Sequence, residues 1–265
     1  ERGADALLKA IEEPAPRTVW LLCAPTADDV IVTIRSRCRA VRLATPSADA
    51  IATLLQMRDG VDTPLAAYAA RVAQGHIGRA RALARNEDVR IRRAEVLKLP
   101  SRLTTLDACL TAAANVVTWA SEESAQQTAS IDARERADLS EALGVGTKGA
   151  RPRNAASALK ELDDQQKLRT KRYQRDAIDR VLTEFTGYYR DVLAVQMGAS
   201  APLLNEEIAA EIRREGGRST PEQTIERIDA ILGCRTALET NVAPALALEA
   251  LMIGLSGLAR QPAVG

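Results

Sequence analysis

Histidines, paired cysteines and long apolar runs are scarce in this 265-residue sequence. The chain has a single histidine, His76, so it cannot by itself provide a two-histidine metal site. Its four cysteines lie far apart and form no CxxC pair: Cys23, Cys38, Cys109 and Cys234. This usage argues for reduced thiols in a cytoplasmic protein rather than for a disulfide framework or a zinc site. No apolar run approaches the roughly 18 residues of a membrane span, so we expect no membrane partner.

The sequence also lacks the patterns of a complete hydrolytic site. It has no GxxxxGK[ST] phosphate loop, because the glycines of residues 144–149 have neither the spacing nor the strand–loop–helix context. We interpret that segment as a flexible basic linker. No acidic cluster follows an apolar strand to hold magnesium, and one histidine supports no Ser/His/Asp or Cys/His arrangement. We therefore predict that this chain alone is not an enzyme and binds no metal or cofactor.

Positive and negative charges nearly cancel, with 36 Lys plus Arg against 35 Asp plus Glu. No net field therefore draws the whole molecule to nucleic acid, and any such contact requires a local patch. Two segments are locally basic, residues 90–93 and 167–175, but the second is flanked by acidic residues and neither has an aromatic stacking platform. We interpret both as solvated helix faces or subunit contacts.

The first 43 residues show a mixed helix and strand pattern. Ala4, Leu7, Leu8 and Ile11 have the spacing of one buried helical face, and Pro14 follows the predicted helix. Residues 19–24 form a continuous apolar run, which predicts a strand covered on both faces. A short helix over residues 27–35 and a short strand over 40–43 follow. This pattern indicates the remnant of an α/β domain.

From residue 44 onward the sequence predicts helices almost to the end, so the fold class is mainly α. Thr45-Pro46 and Thr63-Pro64 are typical helix starts, and 75–78 is the turn into an arginine-rich helix. Longer helices begin near Asp88. A coiled-coil-like seam is predicted at Leu103, Leu106, Leu110, Ala113, Val117 and Ala120. A further helix has its predicted core at Ile178, Val181, Leu182, Phe185, Tyr188, Tyr189 and Val192.

Four stretches carry a resemblance to a known family. Residues 6–14, the apolar run, and Thr33-Ile-Arg-Ser-Arg-Cys38 resemble, in order and spacing, the last part of the ATPase domain of AAA+ clamp-loader subunits. Residues 240–251 resemble the closing helix of the clamp-loader collar. The resemblance implies three domains: the end of an AAA+ domain at 1–43, a helical lid at 44–87 and a helical collar for oligomerisation at 88–265. Because the chain begins without methionine directly before a domain-interior helix, we interpret it as a C-terminal fragment.

The same resemblance implies the site residues. In this family the Ser-Arg-Cys motif, here Ser36, Arg37 and Cys38, carries an arginine that points into the ATP site of a neighbouring subunit. It therefore implies that Arg37 is an arginine finger acting in trans, on ATP that the neighbour binds. The planar, always-charged guanidinium suits phosphate oxygens as charge develops on them. Arg79 and Arg81 stand near the family's second nucleotide sensor, although a solvated basic helix start explains them equally well.

One departure indicates the branch of the family. Residues 23–26 stand where ATP-hydrolysing subunits have a threonine-rich sensor, and Pro25 offers neither a backbone donor nor a hydroxyl. A lost first sensor with a kept Ser-Arg-Cys motif is the pattern of the non-hydrolysing, delta-prime branch. The implied partners are gamma/tau and delta clamp-loader subunits, with the sliding clamp and primed DNA reached through the whole complex in DNA replication. The alternatives are the ATP-hydrolysing gamma/tau subunit and an unrelated helical scaffold.

Overall fold

The computed structural model describes residues 2–144, 155–240 and 242–258, with side chains from Leu7 onward. These residues form eleven α-helices and two short 3-10 turns, at Ala27–Asp29 and Glu206–Ile208, and contain no β-strand. The mainly α fold class is confirmed. The helices are α1 Arg2–Glu12, α2 Val32–Arg35, α3 Ala48–Asp59, α4 Thr63–Ala73, α5 Ile77–Arg85, α6 Glu87–Arg102, α7 Leu106–Ala142, α8 Ala155–Gln196, α9 Ala209–Gly216, α10 Pro221–Glu239 and α11 Pro244–Ser256.

The structure divides into two compact units, residues 1–47 and 48–265. The predicted lid and collar both fall in the second unit, where each stretch has its own cluster of buried apolar residues. The three-domain division stays a prediction. The predicted linker lies mostly outside the described residues. Among the described helices, none is both long and apolar enough to cross a lipid bilayer.

The first unit contains α1, the 3-10 turn and α2, with extended connections between them. The helix predicted from Ala4 is α1, which packs against α2. The single helix predicted over 27–35 is instead divided into the 3-10 turn and α2. The division follows from the capping of the turn, because Asp29 accepts hydrogen bonds from both the backbone N–H and the hydroxyl of Thr26, each at 2.9 Å.

The strands predicted at 19–24 and 40–43 were wrong for this chain. Both segments are extended or irregular and pair with no strand in the described residues. Val19 and Leu21 are 82% and 86% exposed rather than buried. The apolar run has the composition of a buried strand, but a strand also needs a neighbour to accept its backbone hydrogen bonds. A polar contact attaches the run to α1 instead, since the Trp20 indole N–H donates to the Ala10 carbonyl oxygen at 3.0 Å.

Helices α3, α4 and α5 form the first part of the second unit. They bury Ile51, Leu55 and Leu83 together with a set of alanines on α4. The start of α4 is capped by Asp62, whose carboxylate accepts from the Leu65 N–H at 3.3 Å, and not by the predicted Thr63. The turn predicted at 75–78 was only partly right, because α5 already begins at Ile77. His76 caps that helix by accepting the Arg79 backbone N–H on its Nδ1 atom.

The long helices α6 to α8, with α10 and α11 against them, surround the larger apolar cluster. All seven predicted core residues of α8 are buried, which confirms that face. The predicted seam on α7 was only partly right, because Leu106 and Leu110 are exposed. Ala113 and Ala120 of the predicted seam are buried, and the rest of the buried apolar face of α7 is made by Cys109, Ala112 and Val116, each one or two positions from a predicted member. A capping box of Thr220 and Gln223 begins α10.

Helices α7 and α8 are longer than the apolar cluster that they enclose. The last α7 member of the cluster is Ala120, and the first α8 member is Ala177. The segments 121–144 and 155–176, which we call the distal hairpin, therefore extend beyond the core. With a rise of 1.5 Å per residue, the 22 helical residues from Ser121 to Ala142 span about 33 Å.

Candidate functional site

The predicted Ser36-Arg37-Cys38 motif follows directly after α2. Its backbone is fixed by hydrogen bonds from the Ser36 N–H to the Val32 oxygen at 2.9 Å and from the Arg37 N–H to the Ile34 oxygen at 3.0 Å. Ile34 is the buried residue of this helix and anchors it to the unit. The Ser36 hydroxyl donates to the Thr33 carbonyl oxygen at 3.1 Å. The start of the Arg37 side chain is therefore held by the helix end, whereas the Cys38 thiol is free and half-buried.

The Arg37 guanidinium is oriented by three acceptors. It donates to the Thr33 carbonyl oxygen at 2.8 Å and to the Ser36 hydroxyl at 3.4 Å, and it forms an ion pair with Glu12 at 2.6 Å. A guanidinium has five N–H donors, so donors remain for another ligand. The side chain is 42% exposed. Arg37 is thus both immobilised and accessible to an anion.

Glu12 competes only weakly with such an anion for the Arg37 guanidinium. Both side chains are about half exposed, and exposed pairs of this kind contribute about 1 kcal/mol or less. A phosphate carries more charge than a carboxylate and accepts the same two-pronged hydrogen bonds. An exchange of the Glu12 carboxylate for a phosphate oxygen as the partner of Arg37 would therefore cost little free energy.

The neighbouring arginines differ from Arg37 in their partners. Arg35 is committed to the Asp28 carboxylate at 2.8 Å and to the Ala27 carbonyl oxygen at 3.2 Å. Arg39 is exposed and has no ion pair or hydrogen bond within the described part of the chain. Orientation and accessibility distinguish Arg37 from Arg39 but not from Arg35, whose side chain is 40% exposed; the resemblance of the Ser36-Arg37-Cys38 motif is what singles out Arg37.

The candidate sensor Arg79 lies at the start of α5 in the second unit. Its backbone N–H is taken by His76, and its guanidinium forms an ion pair with Glu184 of α8. The Glu184 side chain is only 12% exposed. Arg79 is therefore occupied by a largely buried carboxylate and is not a solvated residue.

The second candidate sensor, Arg81, binds Asp59 at the end of α3. Its guanidinium makes two parallel hydrogen bonds to the Asp59 carboxylate, at 2.9 and 3.0 Å. Arg85 adds a third bond at 2.6 Å, and the Asp59 side chain is 1% exposed. The hydrogen bond from Arg81 holds the pKa of Asp59 below its ordinary value. The two candidate sensors are thus held by different carboxylates and do not converge on one point.

Arg93 of α6 is the centre of a buried polar cluster that the sequence analysis missed. Its side chain is 4% exposed and binds Glu184, Glu207, Asn205 and the Tyr68 hydroxyl. Burial by itself would lower the pKa of Arg93, but the charges of Glu184 and Glu207 outweigh it and raise that pKa. Burial raises the pKa of Tyr68. We call this set, with Arg79, the Arg93 cluster.

A signal for the burial of Arg93 was present in the sequence. Arg93 follows Val89 by four residues and precedes Val96 and Leu97 by three and four, the spacing of one helical face. The runs of basic residues around it had suggested solvent exposure instead. In the structure, Arg93 and Glu184 connect α5, α6 and α8, so they fix the helix that carries Arg79.

A cleft of about 990 Å³ lies beside the Arg93 cluster, between α5, α6 and the α7–α8 pair. Arg92 stacks over the ring of Trp119 on one wall, with its guanidinium carbon 5.6 Å from the ring centre. Several charged side chains that line the cleft are paired with each other. Arg180 pairs with Glu123, and Arg79 and Arg93 pair with Glu184. Within the described residues no group of His, Cys, Asp and Glu side chains is arranged to hold a metal ion.

Comparison with known proteins connects the first unit to a replication complex. Residues 1–47 match a family described as "DNA polymerase III, delta subunit". A stretch of 62 residues is 37% identical to "DNA polymerase III subunit delta'" of Haemophilus influenzae. That stretch covers 23% of this chain and 19% of the relative. The family match contains α1, α2 and the Ser36-Arg37-Cys38 motif.

Proposed function

We propose that this chain acts in the DNA polymerase III clamp loader as a non-hydrolysing subunit. The premise is that residues 1–47 belong to the clamp-loader subunits of the delta' type. The proline at position 25 supports a non-hydrolysing role, because it stands where ATP-hydrolysing members of the family have a threonine-rich sensor and offers neither a backbone donor nor a hydroxyl. In this proposal ATP is bound by a neighbouring subunit, and this chain contributes to loading the sliding clamp on primed DNA during replication.

The observation that carries the proposal is the arrangement of Arg37. Its guanidinium is oriented by Thr33 and Glu12 yet remains accessible, which is what a residue that completes a neighbour's site requires. Arginine fingers contribute roughly 10³–10⁵ in rate, equivalent to about 4–7 kcal/mol at 1.36 kcal/mol per tenfold change. This gain far exceeds the roughly 1 kcal/mol available from the Glu12 ion pair.

Arg79 and Arg81 are weaker candidates for contact with nucleotide. Arg79 would have to exchange Glu184, and Arg81 would have to leave Asp59, and both carboxylates are largely buried. Each carboxylate would keep its other arginine, Arg93 for Glu184 and Arg85 for Asp59. Contact with nucleotide would still require each candidate sensor to give up a formed ion pair, whereas Arg37 has only an exposed one to give up. We therefore assign the phosphate contact to Arg37 and a positioning role within the second unit to Arg79 and Arg81.

Assembly through the helical second unit is the other part of the proposal. Helices α7 and α11 pack together, and they carry exposed leucines at positions 106, 110 and 246. Contiguous apolar patches on a protein surface mark contacts with another protein, whereas single exposed apolar residues are ordinary. We propose that this region contacts the gamma/tau and delta subunits.

Assembly with purified gamma/tau and delta subunits tests this function, with size-exclusion chromatography as the readout. The chain should enter the complex, and the combined substitutions Leu106→Glu, Leu110→Glu and Leu246→Glu should abolish its entry. Met57→Glu is the control, since Met57 is exposed on α3 and should leave assembly intact. A chain that never co-elutes with these subunits would remove the basis for the proposed function.

A further inference from the structure

The distal hairpin is held together by polar contacts on its inner side. Gln166 donates to the Asp132 carbonyl oxygen at 2.9 Å. Arg169 binds the Asp132 carboxylate at 3.1 Å and the Glu135 carboxylate at 2.8 Å. Arg136 of α7 pairs with Asp163 of α8. The carboxylates of Asp132, Glu135 and Asp163 are thus directed into the seam between the two helices.

Four exposed cations lie on α8 beside this seam: Lys167, Lys171, Arg172 and Arg175. Lys167, Lys171 and Arg175 form a row at four-residue intervals, and Lys167 and Lys171 border a shallow pocket with Asp132 and Arg136 of α7. Arg172 flanks this row, since at 100° per residue it is rotated by only 60° from Arg169. We call the four cations the basic face. Lys171, Arg172 and Arg175 form no ion pair or hydrogen bond with any described residue, and Lys167 contacts Asp164 at 3.5 Å.

Acidic residues neutralise the basic face only in part. No Asp or Glu occurs between positions 165 and 175. Of the flanking acids, Asp163 points into the seam and Asp179 pairs with Arg235. Asp164 contacts Lys167, and Asp176 stands at the other end of the face. Lys171, Arg172 and Arg175 thus have no acidic partner among the described residues, on a segment that lies beyond the apolar core.

We propose that the basic face binds the phosphate backbone of duplex DNA. Lys167, Lys171 and Arg175 follow each other at four-residue intervals, or about 6 Å along the helix. Phosphates of one DNA strand advance about 3.4 Å along the duplex axis, so alternate phosphates lie about 6.8 Å further along that axis. The row from Lys167 to Arg175 covers about 12 Å, just over two turns of α-helix, and its spacing is close to that of alternate phosphates measured along the axis.

A protein partner fits this face less well. Protein interfaces bury an apolar or aromatic centre that is depleted of charge. Among residues 167–175 the one exposed large apolar side chain is Leu168. Because phosphate contacts carry no sequence information, the binding should be independent of DNA sequence and strongly dependent on salt.

Fluorescence anisotropy with a labelled 20-base-pair duplex tests the proposal on the whole chain. Three to four phosphate contacts predict a slope of about −3 to −4 for the logarithm of the association constant against the logarithm of salt concentration. The triple substitution Lys171→Gln, Arg172→Gln and Arg175→Gln should weaken binding at 50 mM salt at least about tenfold and make the slope shallower by about 2.7. The charge-preserving pair Lys171→Arg and Arg175→Lys should bind like the unchanged chain.

The matched control neutralises three exposed arginines elsewhere, Arg213→Gln, Arg214→Gln and Arg218→Gln, and changes the net charge equally. It should alter binding by less than about twofold. Equal losses in both triple variants, an unchanged slope, or equally tight binding of a poly-glutamate peptide would overturn the proposal. The basic face lies outside the Arg37 motif, so this result is separable from the fate of the proposed clamp-loading function.

Discussion

Glu184 is the residue whose loss should disturb the second unit most through charge alone. Its carboxylate, 12% exposed, pairs with Arg79 on one side and with the 4%-exposed Arg93 on the other. Glu184→Gln preserves the shape of the side chain and removes its charge. Two largely buried guanidinium groups then lose a charged partner at once.

The expected loss in the free energy of unfolding depends on which partners Arg79 and Arg93 retain in the variant. Removing one member of a buried ion pair costs about 3–5 kcal/mol when the other is left unpaired. Arg93 retains Glu207 and Asn205, and the amide oxygen of the substituted side chain would still offer one neutral acceptor. We therefore expect Glu184→Gln to lower the free energy of unfolding by about 2–3 kcal/mol.

Urea unfolding followed by the fluorescence of Trp119 measures this loss. The chain has two tryptophans, so a Trp20→Phe background leaves Trp119, which packs against the larger apolar cluster, as the reporter. Glu95→Gln is the control, because Glu95 pairs with Lys98 at an exposed site and should cost under about 1 kcal/mol. If the two variants lose the same stability, the Arg93 cluster does not have the energetic weight that its burial implies.

Two further predictions concern titratable groups. Asp59 has a lowered pKa because Arg81 and Arg85 hydrogen-bond to it, so its stabilising effect is complete above the unfolded value of about 3.9 and is lost as pH falls through the folded value. Asp59→Asn should therefore destabilise the chain more at pH 7 than at pH 3 in urea unfolding, and an equal loss at both would contradict this. Burial raises the pKa of Cys234 to about 11, and Cys109 is also buried. Iodoacetamide at pH 8 should modify the exposed Cys23 quickly and these two only after unfolding; rapid modification of Cys234 in the folded chain would refute its burial.

The sequence predicted best where large apolar side chains repeat at helical spacing. On α8, Ile178 to Val192 supplied isoleucine, leucine, phenylalanine and tyrosine in register, and every predicted core position is buried. On α7 the same rule chose Leu106 and Leu110, which are exposed, over Cys109 and Ala112. Small residues permit close helix packing but give little hydrophobic signal, so the pattern of large side chains led to the wrong face.

Two other features depended on partners that a sequence pattern does not reveal. The run of residues 19–24 has strand composition, but strand pairing depends on a second segment, and none pairs with it among the described residues. The burial of Arg93 depended on Glu184 and Glu207, which are 91 and 114 residues away. The spacing of Arg93 from Val89, Val96 and Leu97 fits an inward-facing position, but residues 90–93 were interpreted as a solvated face or subunit contact, and only the fold shows which carboxylates neutralise Arg93.

The Arg37 motif was predictable because it is local. Ser36, Arg37 and Cys38 lie where α2 ends, and the contacts to Thr33 follow from one helical turn. The ion pair with Glu12 was not predicted, since it depends on how α1 packs against α2. It accounts for the orientation of the guanidinium.

ATP hydrolysis by the assembled clamp loader, stimulated by the clamp and primed DNA, tests the role of Arg37 most directly. Arg37→Ala should leave the fold and subunit assembly intact and slow hydrolysis at the adjacent subunit by at least about tenfold. Arg37→Lys should restore little, because an ammonium group cannot reproduce the two-pronged contact. Arg39→Ala removes an equally charged, exposed arginine two residues away and should have a much smaller effect. Equal slowing by Arg37→Ala and Arg39→Ala would show that Arg37 is merely part of a basic surface and would contradict the arginine-finger role.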